Sequence, residues 1–419
     1  MTILDTALNA NALHESHLEI RKNINFKYQV QLFTMNEFKM IAEILNNYYK
    51  NDLSPKKGAE FDLHERGKIR HIVTTLYPDR VYIHSICSNI LLPGLRPYLI
   101  YDNCASLKQR GIDLQRDRLK IHLQKYYRKY KTNQGYILKG DFSKFFDNIC
   151  HEEVLKSIYE KIPDIDFIRF LEKIFKIFEV DVSYMSDEEY EHCYDEVFNA
   201  LEYYKNISKE KQTGQKFMRK SVDIGNEISQ ICGVFYPTKL DNFIKIVKGI
   251  KFYGRYMDDF YIIHPDKEYL KELLGDIKRI CKELKIFLNI KKTQIIPLHK
   301  GFSFLKVRYN LSTAGKVIMK LDNKVFTRER IKLKKLAKLL DKGEITYKII
   351  ENQYLTWKGS VLRKPKNRLR KKVNNTIPQK FSKPLYVNAK SAVNEMDKLY
   401  DQLFIFPFIS GFNNKDNKK

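Results

Sequence analysis

Two carboxylates stand side by side at Asp258-Asp259, inside the run Phe-Tyr-Gly-Arg-Tyr-Met-Asp-Asp-Phe-Tyr-Ile-Ile-His from Phe252 to His264. Aromatic and β-branched residues on both sides predict two short strands joined at the pair. Adjacent carboxylates repel, and they stay ionised at modest cost only beside a cation. A hard divalent metal is the natural partner. Taken alone, such a pair is more often a solvated hairpin turn. A second signal lies upstream, where the apolar Tyr136-Ile137-Leu138 predicts a strand ending at Lys139-Gly140-Asp141. A carboxylate at the C-terminal end of a central strand is a common address for a metal ligand. Asp147, in the bend toward the next helix, reads as a turn or helix-capping residue.

Basic residues recur at positions where a phosphate could be held. If Lys68 to Val73 is a strand, Lys68 and Arg70 share one face and Ile69, His71 and Val73 the other. That basic face suits a triphosphate or a template backbone, and equally a solvated strand edge. In Lys108-Gln-Arg110-Gly111 the glycine permits close backbone approach beside two cations. Ile224-Gly225-Asn-Glu-Ile-Ser229-Gln230 leads into an apolar helix and offers backbone access and capping groups where a base pair or sugar could be read.

The elements that must position these groups are legible in outline. Met35 to Tyr49 predicts a helix with Phe38, Ile41, Ile44 and Leu45 on one face. Pro163 to Lys220 reads as a long helical region with an acidic knot around Asp187 to Glu196, taken as a solvated face, and Gly214 to Lys216 as a mobile connector. Asp266 to Phe287 predicts an amphipathic helix, and Phe302 to Tyr309 a strand pair. Beyond Leu321 the chain is basic and helical to about Lys372, with Tyr354 and Trp357 read as core contacts. Asn413 to Lys419 reads as a disordered tail.

The chain has 419 residues, 43% of them apolar, enough for two or three domains. Its 76 Lys and Arg against 50 Asp and Glu give a net charge of +26, which points to a polyanion, nucleic acid first. The six cysteines are scattered without a CxxC pair, as in a cytoplasmic protein with reduced thiols. No apolar run reaches about 18 residues, so no membrane role is expected.

In order along the chain, the basic strand, basic glycine turn, Asp141 strand, Ile-Gly-x-x-x-Ser-Gln turn and Tyr-Met-Asp-Asp hairpin resemble a reverse transcriptase. Lys292-Thr293, the Phe304-Leu305 strand pair and the basic helical tail continue the series, so that the resemblance runs from about Gly67 to Trp357. It implies an α+β right-hand polymerase. Fingers and palm, with an antiparallel sheet carrying the catalytic aspartates, would span 56–320 with a helical insertion at about 163–220. An N-terminal extension would span 1–55, a helical basic thumb 321–405 and a tail 406–419. It implies catalysis by Asp141, Asp258 and Asp259, with these and the Phe142 carbonyl holding two Mg²⁺ ions, or Mn²⁺ in their place. Nucleotide contacts carried over are Lys68, Arg70, Lys108, Arg110, Ile224, Gly225, Gln230 and Lys292. Lys292 would protonate the leaving pyrophosphate, or else be a solvated lysine. Phe146 would screen out ribonucleotides by crowding the 2′ position, or else be an ordinary core aromatic. The partners implied are dNTPs, an RNA template and a DNA product, with an accessory protein or a second copy as further candidates.

Two departures narrow the expectation. Ile224 replaces the usual glutamine, in a form resembling enzymes of diversity-generating retroelements and of some bacterial antiphage systems. Lys306 stands where the primer grip usually has glycine. No His-Cys nuclease cluster follows the thumb region, and the retron Val-Thr-Gly signature is absent. The expected function is RNA-directed DNA synthesis on a dedicated noncoding RNA in bacterial antiphage defence. The alternatives are error-prone synthesis in a diversity-generating element, template-independent or protein-primed synthesis, and a vestigial RNA-binding scaffold.

Overall fold

The computed structural model describes residues 2–65, 68–362 and 386–405. The chain groups into two compact units, Met1–Arg118 with Ile137–Ile295, and Leu119–Tyr136 with Ile296–Lys419.

The first unit opens with helices Ala10–Ile20, Tyr28–Met35 and Glu37–Tyr49; the Asn9 side chain caps the first by accepting from the Ala12 amide. The third buries Ile41 and Ile44, but Phe38, expected on the same face, is 85% exposed. It sits in the first turn, where nothing packs over it. Next come β1, Lys57–Glu65, and β2, Lys68–Thr75, paired antiparallel with Leu63 opposite Arg70 and Phe61 opposite Ile72. Ile69 and Val73 share a face of β2; Val73, nearer the following helix, is buried, while Ile69, near the tip of the hairpin, stays at the surface. The helix Tyr77–Ile86 that follows is buried almost all round.

β3, Tyr136–Asp141, leads to helices His151–Tyr159 and Ile165–Phe175. The region expected to be one long helical stretch then changes character. β4, Val180–Asp181, pairs with β5, Phe217–Met218, and the helix Asp187–Asp195 lies between them in sequence. Val180, Val182, Phe198 and Met218 form a small core of their own. The Gly214–Lys216 segment is tied down rather than mobile: the Gly214 amide donates to Asp181 at 2.8 Å and the Lys216 amide to Ser183 Oγ at 3.1 Å. A Ser186–Glu189 capping box starts the acidic helix. Lys220, fully buried, ends it by donating to the carbonyls of Cys193, Tyr194 and Glu196, and burial pulls its pKa down to about 8.

The central sheet joins β6, Tyr253–Tyr256, β7, Asp259–His264, and β8, Gln294–Pro297, to β3 in the order β6-β7-β3-β8. Asp266 caps the helix Lys267–Glu283, whose Leu270, Leu273, Ile277 and Cys281 are buried. Gly140 sets how closely the central strands approach, because a Cβ there would lie 2.1 Å from the Phe260 ring. Gly140→Ala is therefore expected to cost about 2–3 kcal/mol by overpacking, read as a lowered denaturation midpoint.

In the second unit β9, Phe302–Phe304, β10, Val307–Leu311, and β11, Val317–Leu321, form a meander in the order β11-β10-β9. Helices Asn323–Asp341, Tyr347–Val361 and Ala389–Phe404 pack around Leu333, Ile350, Tyr354, Met396, Tyr400 and Phe404. Tyr354 stacks on Tyr400 at 4.5 Å and on Trp357 at 5.8 Å, the core role expected of both. The basic stretch between 362 and 372 and the tail Asn413 to Lys419 lie outside the described residues. Among the described residues no helix is long and apolar enough to cross a membrane.

Candidate active site

Strand pairing places Tyr256 opposite Asp259, so the hairpin turns at Met257-Asp258, one position earlier than its sequence suggested, and Asp259 begins β7. Met257 takes the left-handed conformation, φ 54°. Asp141 ends the neighbouring strand β3. Backbone bonds hold the ends together: the Phe142 amide donates to the Asp258 carbonyl at 3.3 Å, and Asn289 to that of Asp141 at 2.7 Å. Ser143 donates to Phe287 at 2.7 Å. Asp141, Asp258 and Asp259 thus lie at neighbouring ends of the two central strands.

The charges of Asp258 and Asp259 are only partly offset by their surroundings. Burial, then the charges of Asp258 and Asp141, push Asp259 up to about 7. Burial and Asp141 raise Asp258 as well, against the pull of Lys292 and Arg70. Lys292 reaches across from the loop before β8 and donates to Asp141 Oδ2 at 2.5 Å. Burial disfavours its charge, but the bond to Asp141 and the nearby carboxylates raise its pKa on balance. The donors are hard oxygens beside unpaid negative charge, which suits a divalent ion of the Mg²⁺ type. Among the described residues no three His, Cys, Asp or Glu side chains are drawn closely enough together to hold an ion. Lys292 occupies Asp141 Oδ2, so an ion bound through that oxygen would displace it.

Phe146 opens a short 3₁₀ turn, Phe146–Asn148, with its ring half-buried against Phe145. Gly233 backs it, since a Cβ there would lie 3.0 Å from the Phe146 ring. The Val222 amide donates to the Phe146 carbonyl at 2.9 Å, which brings the Ile224-Gly225 segment alongside. Ile224 is half-buried, and Gly225, at φ 136°, is exposed with Ile72 of β2 3.3 Å from where a Cβ would stand. Gln230 is exposed and accepts from Ser106 Oγ at 2.9 Å.

The basic residues divide. Arg70 lies near enough to Asp258 to lower its pKa, whereas the Lys68 side chain lies outside the described residues. Lys108 pairs with Glu19 at 2.8 Å. Arg110 donates to the Asn103 carbonyl at 2.8 Å and lies over the Tyr101 ring at 5.3 Å. The last two are thus engaged within their own neighbourhood rather than with the carboxylates.

Three functional features escaped the sequence reading. Asn226 ties the helix Glu227–Phe235 to β2, donating to the Val73 carbonyl at 3.3 Å and accepting from Thr75 at 3.4 Å. Asp223 is buried beside Asp147, and burial raises the two carboxyls to about 7 and about 6 respectively. Asp241 and Arg255 form a fully buried pair behind the hairpin. Polar residues like these break no periodicity, so only the Asn at a helix start carried a usable signal, as a capping type.

The family described as reverse transcriptase (RNA-dependent DNA polymerase) matches residues 54–309. No curated protein matches the chain. Similar solved structures include apo telomerase from Candida Tropicalis, 15% identical over 67% of this chain and 52% of that one, TM-score 0.42. A telomerase from Candida albicans in complex with a TWJ fragment of telomeric RNA is 12% identical over 66% of this chain and 48% of that one, TM-score 0.40. The chain thus spans about half the length of these structural neighbours.

Proposed function

Because the chain belongs to the reverse transcriptase (RNA-dependent DNA polymerase) family, we propose that Asp141, Asp258 and Asp259 hold two Mg²⁺ ions and extend a DNA primer from dNTPs on an RNA template. The observation that carries this reading is that Asp141, at the end of β3, neighbours Asp258 and Asp259, at the turn into β7, and that the latter two hold a proton more readily than ordinary carboxyls. Burial and the charge of Asp141 raise both, and that of Asp258 adds to the rise at Asp259. Such ions, when bound, activate the primer hydroxyl and stabilise the leaving pyrophosphate. The protein's own part is to hold the donors on adjacent strand ends. Arg70 faces the triphosphate and Gly225 lets the backbone approach the sugar. Lys68, Lys108, Arg110 and Gln230 add contacts once substrate draws them in. Lys292, released from Asp141, protonates the leaving pyrophosphate. Lys292→Met is expected to lower the single-turnover rate roughly a hundredfold and to remove the alkaline limb of its pH profile.

Phe146 acts as the sugar gate, its half-buried ring held from behind by Gly233. Phe146→Ala should raise ribonucleotide incorporation relative to dNTP by about tenfold or more, measured as the ratio of kcat/KM values. The helices after Leu321 serve as the thumb and grip the template-primer backbone through their lysines.

The finer role we propose is synthesis on a dedicated, structured noncoding RNA in bacterial antiphage defence. Its support is the turn Ile224-Gly225-Asn-Glu-Ile-Ser229-Gln230, whose form resembles that of enzymes from such systems. The test is to purify the protein with its bound RNA and supply Mg²⁺ and labelled dNTPs. DNA product that disappears after prior RNase treatment supports a templating RNA. Product that survives RNase and partitions with protein on phenol extraction would instead support untemplated, protein-primed synthesis.

A further inference from the structure

Arg255 is the largest fully buried side chain of the described residues. Its guanidinium donates to Asp241 through Nε at 2.8 Å and Nη2 at 2.7 Å, the two-pronged geometry that an arginine fork and a carboxylate share. Tyr253 donates to the same carboxylate at 2.5 Å. Nη2 also donates to the Val234 carbonyl at 2.7 Å, and Nη1 to those of Gly233 at 3.4 Å and Met257 at 3.0 Å. All five N–H donors of the guanidinium are used.

The partners lie on parts of the site that must keep a fixed spacing. The Met257 carbonyl belongs to the peptide that leads into Asp258, and Met257 is the residue held at φ 54°. That conformation is costly for a non-glycine residue and persists only where surrounding bonds over-determine it. Gly233 and Val234 lie on the helix Glu227–Phe235, and Gly233 is the residue that backs Phe146. One guanidinium therefore joins the peptide before Asp258 to the backbone behind the sugar gate. Stability alone is a weak reason to bury such a pair, since apolar residues of similar volume usually do as well or better.

We propose that the Arg255–Asp241 pair is a positioning unit that sets the Met257-Asp258 turn against the helix backing Phe146. It thereby fixes the separation between the metal ligands and the nucleotide sugar. This rests on the reading of Asp258 as a metal ligand. Asp241 also neutralises the guanidinium, so that the site gains a rigid fork without a net cation behind its carboxylates. Lysine cannot replace Arg255, because an ammonium has three donors and no planar fork.

The test uses the full chain with Mn²⁺ alone as probe, followed by electron paramagnetic resonance, beside thermal melting and the dNTP-over-NTP ratio. The double variant Arg255→Met with Asp241→Leu removes both charges without leaving one buried and unpaired. It should melt no lower than the parent yet bind Mn²⁺ about tenfold or more weakly, as loss of a group that supports metal ligands typically does, and admit more NTP. Parent-like Mn²⁺ affinity in a folded double variant overturns the proposal. If the double variant does not fold, Arg255→Lys measured in the same way decides between the same two results. Asp258→Asn is the control. If it binds Mn²⁺ like the parent, the metal reading fails and the proposal with it; if it loses binding while the double variant keeps it, the proposal alone fails.

Discussion

Asp141→Asn is expected to reduce DNA synthesis by about 10³-fold or more while the chain stays folded. The amide keeps the size of the carboxyl and can still accept from Lys292, now at 2.5 Å from Asp141 Oδ2. It loses the negative charge that a metal ligand would supply, and several kcal/mol of transition-state stabilisation at about 1.4 kcal/mol per tenfold gives that magnitude. Single-turnover incorporation of labelled dNTP, beside a melting curve, separates the chemical loss from unfolding. Asp258→Asn should behave alike. A variant that keeps the parent's rate would remove Asp141 from the reaction.

The second large effect is on stability. The folded chain holds the Asp259 carboxyl near pKa 7 against an ordinary 3.8, because of burial first and of Asp258 and Asp141 second. A raised acid pKa means that the folded state binds its proton more tightly than the unfolded chain. Stability therefore falls as pH rises from about 4 to about 7, and the full penalty stands above that window. At about 1.4 kcal/mol per pKa unit the penalty is on the order of a few kcal/mol. In EDTA, Asp259→Asn should raise the melting temperature at pH 8 and confer little below pH 4. Mg²⁺ should stabilise the parent at pH 8 through preferential binding to the folded state, and the variant much less. Equal gains at both pH values would show that the carboxylate carries no buried-charge penalty.

The three aspartates were legible because their signals are local: apolar strands that end in a carboxylate, and a doubled carboxylate between aromatic runs. The turn was misplaced by one residue, since the sheet's register, not the turn residues, fixes Tyr256 opposite Asp259. Lys292 could be matched by its place in the motif series, but its bond to Asp141 closes over 151 residues and is a tertiary fact. Arg255 and Asp241 left no trace, because a buried ion pair looks in sequence like two surface residues. Why glycine is usual where Lys306 stands is visible only in three dimensions. With Leu305 at φ 47° and Lys306 at φ 66°, the β9–β10 turn asks for the left-handed backbone that glycine adopts freely. The strands in the 163–220 region are two residues long, too short for periodicity to distinguish them from the helices around them.

The most direct test of the three-carboxylate site is anomalous diffraction from Mn²⁺ in crystals of the protein with template-primer and a non-hydrolysable dNTP. Two Mn²⁺ peaks about 4 Å apart, held by Asp141, Asp258 and Asp259, are the expected result. Ordered nucleotide with no Mn²⁺ peak at these three side chains would contradict it.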